Sequence, residues 1–304
     1  MKLTAKDIEK IVDFINFLKI LNNDYDKFTD IFHLMELHGF HITKSEFYSP
    51  IPEISKLDND VFLGKDLPGI DWNESNQIKL LNELSQYSNE FQNLIDGKKF
   101  DMNNGAFGTF DAPLYFSIIR HFAPNKIIEV GAGYSTILSS ATSKLNNKTK
   151  VIAIDPYVDN ELKKKIPASV EFIDNPVQKI PVSMFRDLNE NDILFIDSSH
   201  VSKIGSDVNY LYLEILPKLR DGVLVHIHDI FLPNQYPMSW IKNDHRRFWN
   251  EQYLLDAFLI GNSLFEIILA NSFMSIRHPE LLRKLYKTQM PVGGGSFWIR
   301  KTGN

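Results

Sequence analysis

The chain has 304 residues, a formal net charge of −5 and a sequence pI near 6.0, and it is long enough for one large domain with an extension. This charge argues against nucleic acid as the main partner, because no surplus of basic residues exists to neutralise phosphates. The absence of cysteine excludes a disulfide framework, thiolate catalysis and cysteine-ligated zinc.

The first residues carry no sign of a targeting or membrane segment. Residues 1–7 open an amphipathic pattern and not an apolar signal segment. No window approaches the roughly 18 consecutive apolar residues of a membrane helix. We therefore expect a cytoplasmic protein without a membrane partner, and the sequence leaves its oligomeric state open, homo-oligomers included.

Residues 1–100 combine helical periodicity with proline-bearing loops. Apolar residues at helical spacing predict helices at about 8–18, 28–37 and 75–94, with Asp71 or Asn73 as candidate caps of the third. This region is interpreted as an N-terminal helical extension that is either a cap over one edge of the core or a substrate-contacting lid. In the second case Tyr48 is the candidate substrate residue.

From residue 101 to 304 apolar runs alternate with amphipathic segments. This alternation predicts a parallel sheet covered by helices on both faces, and the short connection before the last run favours a final antiparallel pair. We predict a doubly wound, mostly parallel seven-stranded α/β domain. Its expected strands are 126–130, 150–154, 170–173, 192–196, 223–227, 265–269 and 296–300, and its expected helices include 112–122, 135–145, 206–216 and 249–259.

The strongest local motif joins the first two of these strands. An apolar run containing Glu129 turns on Gly131 and Gly133 into a helix, and the next run ends at Asp155. Two glycines allow a tight turn and close approach of a ligand. A carboxylate at the tip of the next strand is placed to bind ribose hydroxyls. The motif indicates a nucleoside-bearing cofactor, against the alternative of a turn without function.

Which cofactor binds is indicated by what this motif lacks. Thr136 stands where a dinucleotide fingerprint has its third glycine. Glu129 beside the pocket is expected to repel phosphate and attract a cation. S-adenosylmethionine has a sulfonium, an ammonium and no phosphate, so the pattern favours it over NAD. Ser135 and Gln178 are further cofactor-binding candidates, the latter in a loop suited to an adenine edge.

Polar residues also follow the fourth and fifth predicted strands, where ligands bind in open α/β sheets. Asp197 follows the fourth strand, and His228 and Asp229 follow the fifth. Their side chains are expected to converge, and oxygen and nitrogen donors of this kind hold divalent ions with positions left for substrate. The alternative is that Asp197 and Asp229 cap turns.

Three further positions near these strand ends have open roles. His200 is an orienting residue, a general base or a loop histidine; histidine suits a base because its ordinary pKa lies near 6.5. We expect His226 and His228 to point to opposite faces, with His226 in the core. Tyr236 and Trp240 lie in a long proline-bearing loop that is placed to form a substrate wall or gate.

Taken together, these motifs resemble the class I S-adenosylmethionine-dependent methyltransferases, and among them the small-molecule and surface-glycan O-methyltransferases. The resemblance covers about residues 103–301. It rests on four stretches in order, which are 129–136, 154–156, 192–200 and 225–233. It implies an O-methyltransferase acting on a hydroxyl of a sugar or other small metabolite, with Asp197 also near the cofactor and with His228, His200 and Asp229 as catalytic candidates.

The same resemblance raises the question of a metal. Relatives bind magnesium with one acid after strand four and two after strand five. Asp197 and Asp229 match two of these positions, whereas His228 replaces a carboxylate. Imidazole favours manganese, iron or zinc, and the alternative is a metal-free site in which His228 or His200 takes the substrate proton.

Two other functions remain open at this point. One is an S-adenosylmethionine-using enzyme of another reaction type, such as intramolecular cyclisation or aminocarboxypropyl transfer. The other is a non-catalytic cofactor-binding partner subunit.

Overall fold

The computed structural model describes residues 3–21, 24–146, 149–242 and 246–303. The chain divides into two compact units, Met1–Leu57 and Asp58–Asn304. The first unit contains helices α1 (Ala5–Leu21) and α2 (Tyr25–Leu37), which contact each other, and a short 3₁₀ turn at Ile54–Lys56. Within the described ranges, no helix has both the length and the apolar character needed to cross a membrane.

The second unit is built on a seven-stranded sheet. Its strands are β1 (Lys126–Val130), β2 (Lys150–Ile154), β3 (Glu171–Ile173), β4 (Ile193–Ile196), β5 (Leu224–Ile227), β6 (Phe265–Ala270) and β7 (Phe297–Lys301). They lie in the order β3-β2-β1-β4-β5-β7-β6, and β7 is antiparallel to both of its neighbours while the other pairs are parallel. The predicted fold is confirmed, and each strand agrees with its predicted bounds to within one residue.

Helices connect these strands, because parallel neighbours require crossover connections. The second unit contains α3 (Glu74–Leu84), α4 (Ser88–Asp96), α5 (Asp111–Phe122), α6 (Tyr134–Asn146), α7 (Asn160–Lys163), α8 (Val182–Arg186), α9 (Asp207–Tyr210), α10 (Met238–Lys242), α11 (Glu251–Leu259), α12 (Asn271–Arg277) and α13 (Pro279–Tyr286).

Two predicted helices are interrupted. The segment expected at 75–94 is α3 and α4 joined by a 3₁₀ turn at Ser85–Tyr87, where the Ser85 hydroxyl donates to the carbonyl of Asn82 and so competes with the helical ladder. The segment expected at 206–216 continues from α9 as a π-helical stretch, Leu211–Ile215, and a 3₁₀ turn, Leu216–Lys218. Pro217 has no amide proton, so a regular helix cannot continue through it.

The division between the units lies at Leu57, before the boundary expected near residue 100. Helices α3 and α4 belong to the second unit because Leu81, Leu84 and Leu94 are buried in its core. The fully buried Gln77 adds a polar link, since its Oε1 accepts the amide of Ala270 at 2.7 Å. Apolar burial of this kind contributes about 1.5–3 kcal/mol for each large side chain.

Strands β1, β4 and β5 form the buried centre of the sheet. The side chains of Ile193 to Ile196 are fully buried, as are Leu224 and Val225. Continuous apolar runs are typical of strands covered on both faces. The centre of the sheet therefore holds the carboxyl ends of these three strands in fixed positions.

The glycine turn after β1 is held between the tips of β2 and β4. The amide of Gly131 donates to the carbonyl of Ile154 at 3.0 Å, and the amide of Asp197 donates to that of Val130 at 2.9 Å. Gly131 has φ +94°, and a Cβ there would lie 2.1 Å from the carbonyl oxygen of Asp197. Only glycine fits this position.

We predict that Gly131→Ala lowers the free energy of unfolding by roughly 1–3 kcal/mol or more, because it combines a left-handed backbone with a steric clash. Gly133→Ala is the matched control, since a Cβ at Gly133 meets only Leu162, at 3.9 Å. Urea denaturation measures both variants. Equal stability of the two variants would contradict the role given to Gly131.

Candidate active site

A cleft of about 530 Å³ lies at the carboxyl ends of β1, β2 and β4. The order of the sheet reverses between β1 and β4, and such reversal points are where open α/β sheets bind ligands. Four of the seven cofactor-binding candidates line this cleft, namely Gly131, Asp155, Gln178 and Asp197. The cleft is thus the candidate cofactor site.

The carboxylate of Asp155 stabilises the loops around the cleft. Its Oδ2 accepts the amide of Ala132 at 3.0 Å, and its Oδ1 accepts the amide of Tyr157 at 2.6 Å. Each oxygen keeps a second acceptor position, which is what ribose hydroxyls need. On the opposite wall, Nε2 of Gln178 donates to the carbonyl of Gly205 at 2.9 Å, which fixes the side chain and leaves its Oε1 as an acceptor.

Glu129 does not line the cleft, in contrast to its expected position beside the cofactor. It is fully buried, and burial raises the pKa of its carboxyl group while four hydroxyl donors oppose that rise. These donors are Tyr115 at 2.9 Å, Ser135 at 3.2 Å, Thr136 at 2.6 Å and Ser139 at 2.5 Å. Glu129 therefore anchors β1 to α5 and α6 behind the glycine turn.

Ser135 and Gly133, two of the cofactor-binding candidates, also lie behind the cleft, near Glu129. Ser135 is buried against Glu129, and neither residue lines the cleft. The amide of Gly133 donates to the hydroxyl of Thr136 at 3.1 Å, so the residue in place of a third glycine holds the turn closed. Ser135, Thr136 and Ser139 share one face of α6, and this hydroxyl spacing is a sequence signal for such a cage.

The structure brings together four of the polar candidates after β4 and β5. Nε2 of His200 lies 3.2 Å from Oδ1 of Asp197 and 3.9 Å from Oδ2 of Asp229. Nε2 of His228 lies 3.8 Å from Oδ1 of Asp229. Since Asp197 lines the cleft, this polar cluster adjoins the cofactor site.

His200 has a second carboxylate partner that the sequence did not reveal. Its Nδ1 lies 2.8 Å from Oε2 of Glu251, a fully buried residue of α11. Burial opposes the charged imidazole, but the hydrogen bonds with Asp197 and Glu251 outweigh it and raise the pKa of His200 to about 10. At neutral pH His200 is a cation, so of its three expected roles the structure favours the orienting one over the general base.

Glu251 and His200 are also joined through the backbone. His200 has φ +58°, and its carbonyl accepts the amides of Asn250 and Glu251, each at 3.1 Å. In the sequence Glu251 is an acid in the first turn of a helix, which ordinarily indicates an interaction with the helix dipole. Its contact with a residue 51 positions away could not be inferred from that pattern.

The expectation that His226 and His228 point to opposite faces is wrong. Residues two positions apart along a strand share a face, and the two rings lie 5.5 Å apart. His226 is nevertheless a core residue: it is fully buried against Phe195 and Trp298, and burial holds its pKa well below the ordinary value. It is therefore a neutral imidazole.

His228, unlike His226, interacts electrostatically with Asp197 and Asp229. Burial favours its neutral form, but the negative charges of Asp197 and Asp229 outweigh burial and raise its pKa. Its Nδ1 is buried without a hydrogen-bond partner among the residues described. His228 thus places a second imidazole beside Asp229.

The two aspartates differ in their surroundings. At Asp197 burial raises the pKa, but the charges of His228 and His200 and the hydrogen bond from His200 lower it on balance. At Asp229 burial dominates, and the pKa is raised. Asp229 is therefore the stronger base of the two, and its side chain remains 21% exposed.

The donor set does not fit the expected divalent ion. Across residues 3–21, 24–146, 149–242 and 246–303 there is no group of three histidine or carboxylate side chains placed to hold a metal. His228 replaces the third acid. Nε2 of His200 lies 3.2 Å from Oδ1 of Asp197 and 3.9 Å from Oδ2 of Asp229, so the imidazole occupies the space between the two carboxylates.

The three substrate candidates occupy different environments. Tyr236 is buried, and its hydroxyl accepts the amide of Gln252 at 3.0 Å, so it supports α11; its substrate role stays a prediction. Trp240 is partly exposed and packs edge-to-face on Phe231. Tyr48 lies in the first unit with an exposed side chain, and its substrate role stays a prediction.

This strand order defines a doubly wound α/β fold with a cleft at its reversal point, and comparison with known proteins identifies its class. Residues 128–230 match the family described as a methyltransferase domain. An uncharacterised protein of Archaeoglobus fulgidus is 33% identical over 162 residues, which cover 48% of this chain and 73% of that protein. The chain belongs to the class I S-adenosylmethionine-dependent methyltransferases.

Two solved structures also align with this chain. One is the O-methyltransferase TomG from Streptomyces achromogenes, which is involved in tomaymycin synthesis, in complex with S-adenosylmethionine. It shows 14% identity, covers 80% of this chain and 94% of its own, and has a TM-score of 0.43. The other is the plantazolicin methyltransferase BpumL, in complex with a triazolic desmethyl analogue and S-adenosylhomocysteine, at 15% identity, 77% and 100% coverage and a TM-score of 0.43.

We predict that Glu251→Gln lowers the pKa of His200 from about 10, because it removes one of the two carboxylates that stabilise the imidazolium. Histidine side-chain NMR measures this titration. In the unmodified protein, the stabilisation from the charged form is fully present below the ordinary pKa near 6.5 and is lost as the pH rises through about 10. The variant is expected to lose it at lower pH.

Glu214→Gln is the matched control, since Glu214 is exposed and pairs with Lys218 on the surface. It should leave the His200 titration unchanged. Titration of His200 near its ordinary pKa in the unmodified protein would refute the assigned charge.

Proposed function

We propose that this methyltransferase is an O-methyltransferase that methylates a hydroxyl of a sugar or another small metabolite. The observation that carries the proposal is the pair of aspartates at the ends of β4 and β5, 3.2 and 3.9 Å from His200 and beside the cofactor cleft, whose pKa values are shifted in opposite directions. Hydroxyl methylation requires removal of one proton, and a carboxylate with a raised pKa is suited to accept it.

The residues that line the cleft fit S-adenosylmethionine. When bound, this cofactor supplies an activated methyl group on a positively charged sulfur. Asp155 would bind the ribose hydroxyls, Gln178 would contact the adenine, and the backbone at Gly131 would allow close approach. The amide of Asp197 donates to the carbonyl of Val130, next to Gly131, and this bond links the cleft to the polar cluster.

In the polar cluster we assign Asp229 as the proton acceptor. It is accessible, it has a raised pKa, and it lies within 4 Å of both imidazoles. The charged His200 would stabilise negative charge that develops on the acceptor oxygen, because fixed charges in a dry site need no reorganisation. His228 would hold the Asp229 carboxylate in position.

Asp197 is less suited to that task. Its lowered pKa makes it a weak base, and one of its oxygens is already engaged by His200. We assign it to hold His200 in position. Alignment of the acceptor oxygen with the methyl group would supply much of the remaining rate enhancement.

We predict that Asp229→Asn lowers kcat by roughly 10²- to 10⁴-fold, the usual contribution of a general base. Asparagine tolerates the left-handed backbone at this position, where φ is +55°. Affinity for S-adenosylmethionine should persist in isothermal titration. Transfer can be measured with methyl-labelled cofactor and a deproteinised extract of small metabolites, by counting the labelled product.

The exposed Asp221→Asn makes the same chemical change away from the site and should retain activity. Full activity of Asp229→Asn would overturn the assignment of the base. Release of methylthioadenosine instead of S-adenosylhomocysteine would overturn methyl transfer itself and favour cyclisation or aminocarboxypropyl transfer.

We also propose that the transfer needs no divalent metal, since Nε2 of His200 lies 3.2 Å from Oδ1 of Asp197 and 3.9 Å from Oδ2 of Asp229 and so occupies the space between the two carboxylates. Dialysis against EDTA should then leave turnover unchanged, and added magnesium or manganese should not raise it. Loss of turnover on chelation, with recovery on adding one of these ions, would contradict this proposal.

A further inference from the structure

Arg247 lies between two tryptophans after the polar cluster. Its guanidinium carbon is 4.6 Å from the ring centre of Trp240 and 4.8 Å from that of Trp249, and the two rings meet edge-to-face at 5.4 Å. Its backbone amide donates to the carbonyl of Trp240 at 3.0 Å. The guanidinium is thus held in one orientation by two aromatic faces and by its own backbone.

Within the described ranges, this guanidinium has no acidic partner. Among the residues that the structure describes, no carboxylate forms an ion pair with Arg247 and no acceptor takes its side-chain N–H groups. The side chain is partly exposed. Stacking on aromatic rings uses the faces of the guanidinium and leaves its planar edge free for bidentate hydrogen bonds.

The ring of Trp249 connects Arg247 to the polar cluster. Trp249 lies 4.2 Å from the ring of His200, measured between centres. His200 contacts Asp197, which lines the cofactor cleft. A small acceptor with its hydroxyl at the polar cluster could therefore extend along Trp249 and reach Arg247.

We propose that Arg247 binds an anionic group of the acceptor, a carboxylate or a phosphate, while the tryptophans contact the body of the molecule. This inference rests on the proposed function, because it assumes that the acceptor hydroxyl lies at the polar cluster. The chain has a net charge of −5 and several acids at this site. The cationic His200 is already engaged by Asp197 and Glu251. Among the described residues the guanidinium of Arg247 has no such partner, and its planar shape matches carboxylate and phosphate.

The test uses matched neutral and anionic probes with the protein saturated with S-adenosylhomocysteine. Methyl glucoside is compared with methyl glucuronide for the carboxylate arm, and glucose with glucose 6-phosphate for the phosphate arm. Isothermal titration or ligand-observed NMR measures affinity. We expect the anionic member of at least one pair to bind roughly tenfold or more tightly, as a charge-assisted bidentate contact should allow.

Arg247→Gln should abolish this preference and leave the affinity for S-adenosylmethionine unchanged. Arg247→Lys should retain only part of the preference for the anionic probe, because lysine keeps the positive charge but lacks the planar pair of N–H donors. Arg220→Gln is the matched control, since Arg220 is a surface residue that pairs with Asp187 and Asn189. The preference in the unmodified protein should also weaken with added salt.

Equal binding of both members in both pairs, including no binding of any probe, would overturn the proposal. Retention of the anionic preference in Arg247→Gln would overturn it as well. Failure of the proposed function is distinguishable, because it would be seen as methylthioadenosine release in the turnover assay whatever the state of Arg247.

Discussion

The buried charge of His200 is the interaction on which the arrangement of the site depends. An ion taken out of water costs several kcal/mol unless it is paired and hydrogen-bonded. His200 meets this requirement with Glu251 on one ring nitrogen and Asp197 on the other. The loop after β4 and the start of α11 must therefore lie against each other. The fully buried Glu251 has Nδ1 of His200 as the partner of its Oε2, at 2.8 Å.

This fixed cation also separates the two aspartates chemically. Both follow central strands, and by sequence they are equivalent carboxylates. Asp197 contacts His200 directly and has a lowered pKa, whereas Asp229 lies farther away and keeps a pKa raised by burial. Titratable neighbours whose pKa values are pushed apart can take different roles. In the proposed mechanism, Asp197 balances charge and Asp229 accepts the proton.

The sheet could be predicted from the sequence because its strands are continuous apolar runs. The turn could be predicted because Gly131 and Gly133 follow the first of these runs. The structure adds the reason for Gly131, since only glycine fits beside the Asp197 carbonyl. The orientation of Glu129 could not be, since its position in the motif does not say whether the side chain faces the cleft or the hydroxyls of α6. The pairing of His200 with Glu251 was equally hidden, because it joins elements 51 residues apart that only the folded chain brings together.

The cofactor cleft and the proposed acceptor side differ in whether backbone or side chains form them. The cofactor cleft is built largely from backbone at strand ends, so the sheet that forms it also positions Gly131 and Asp155. The proposed acceptor side is built from side chains after β5, where Trp240, Arg247 and Trp249 contact each other outside the described strands. Substitutions there can change the preferred acceptor while the cofactor cleft stays intact. Loops on a rigid scaffold commonly divide the work in this way.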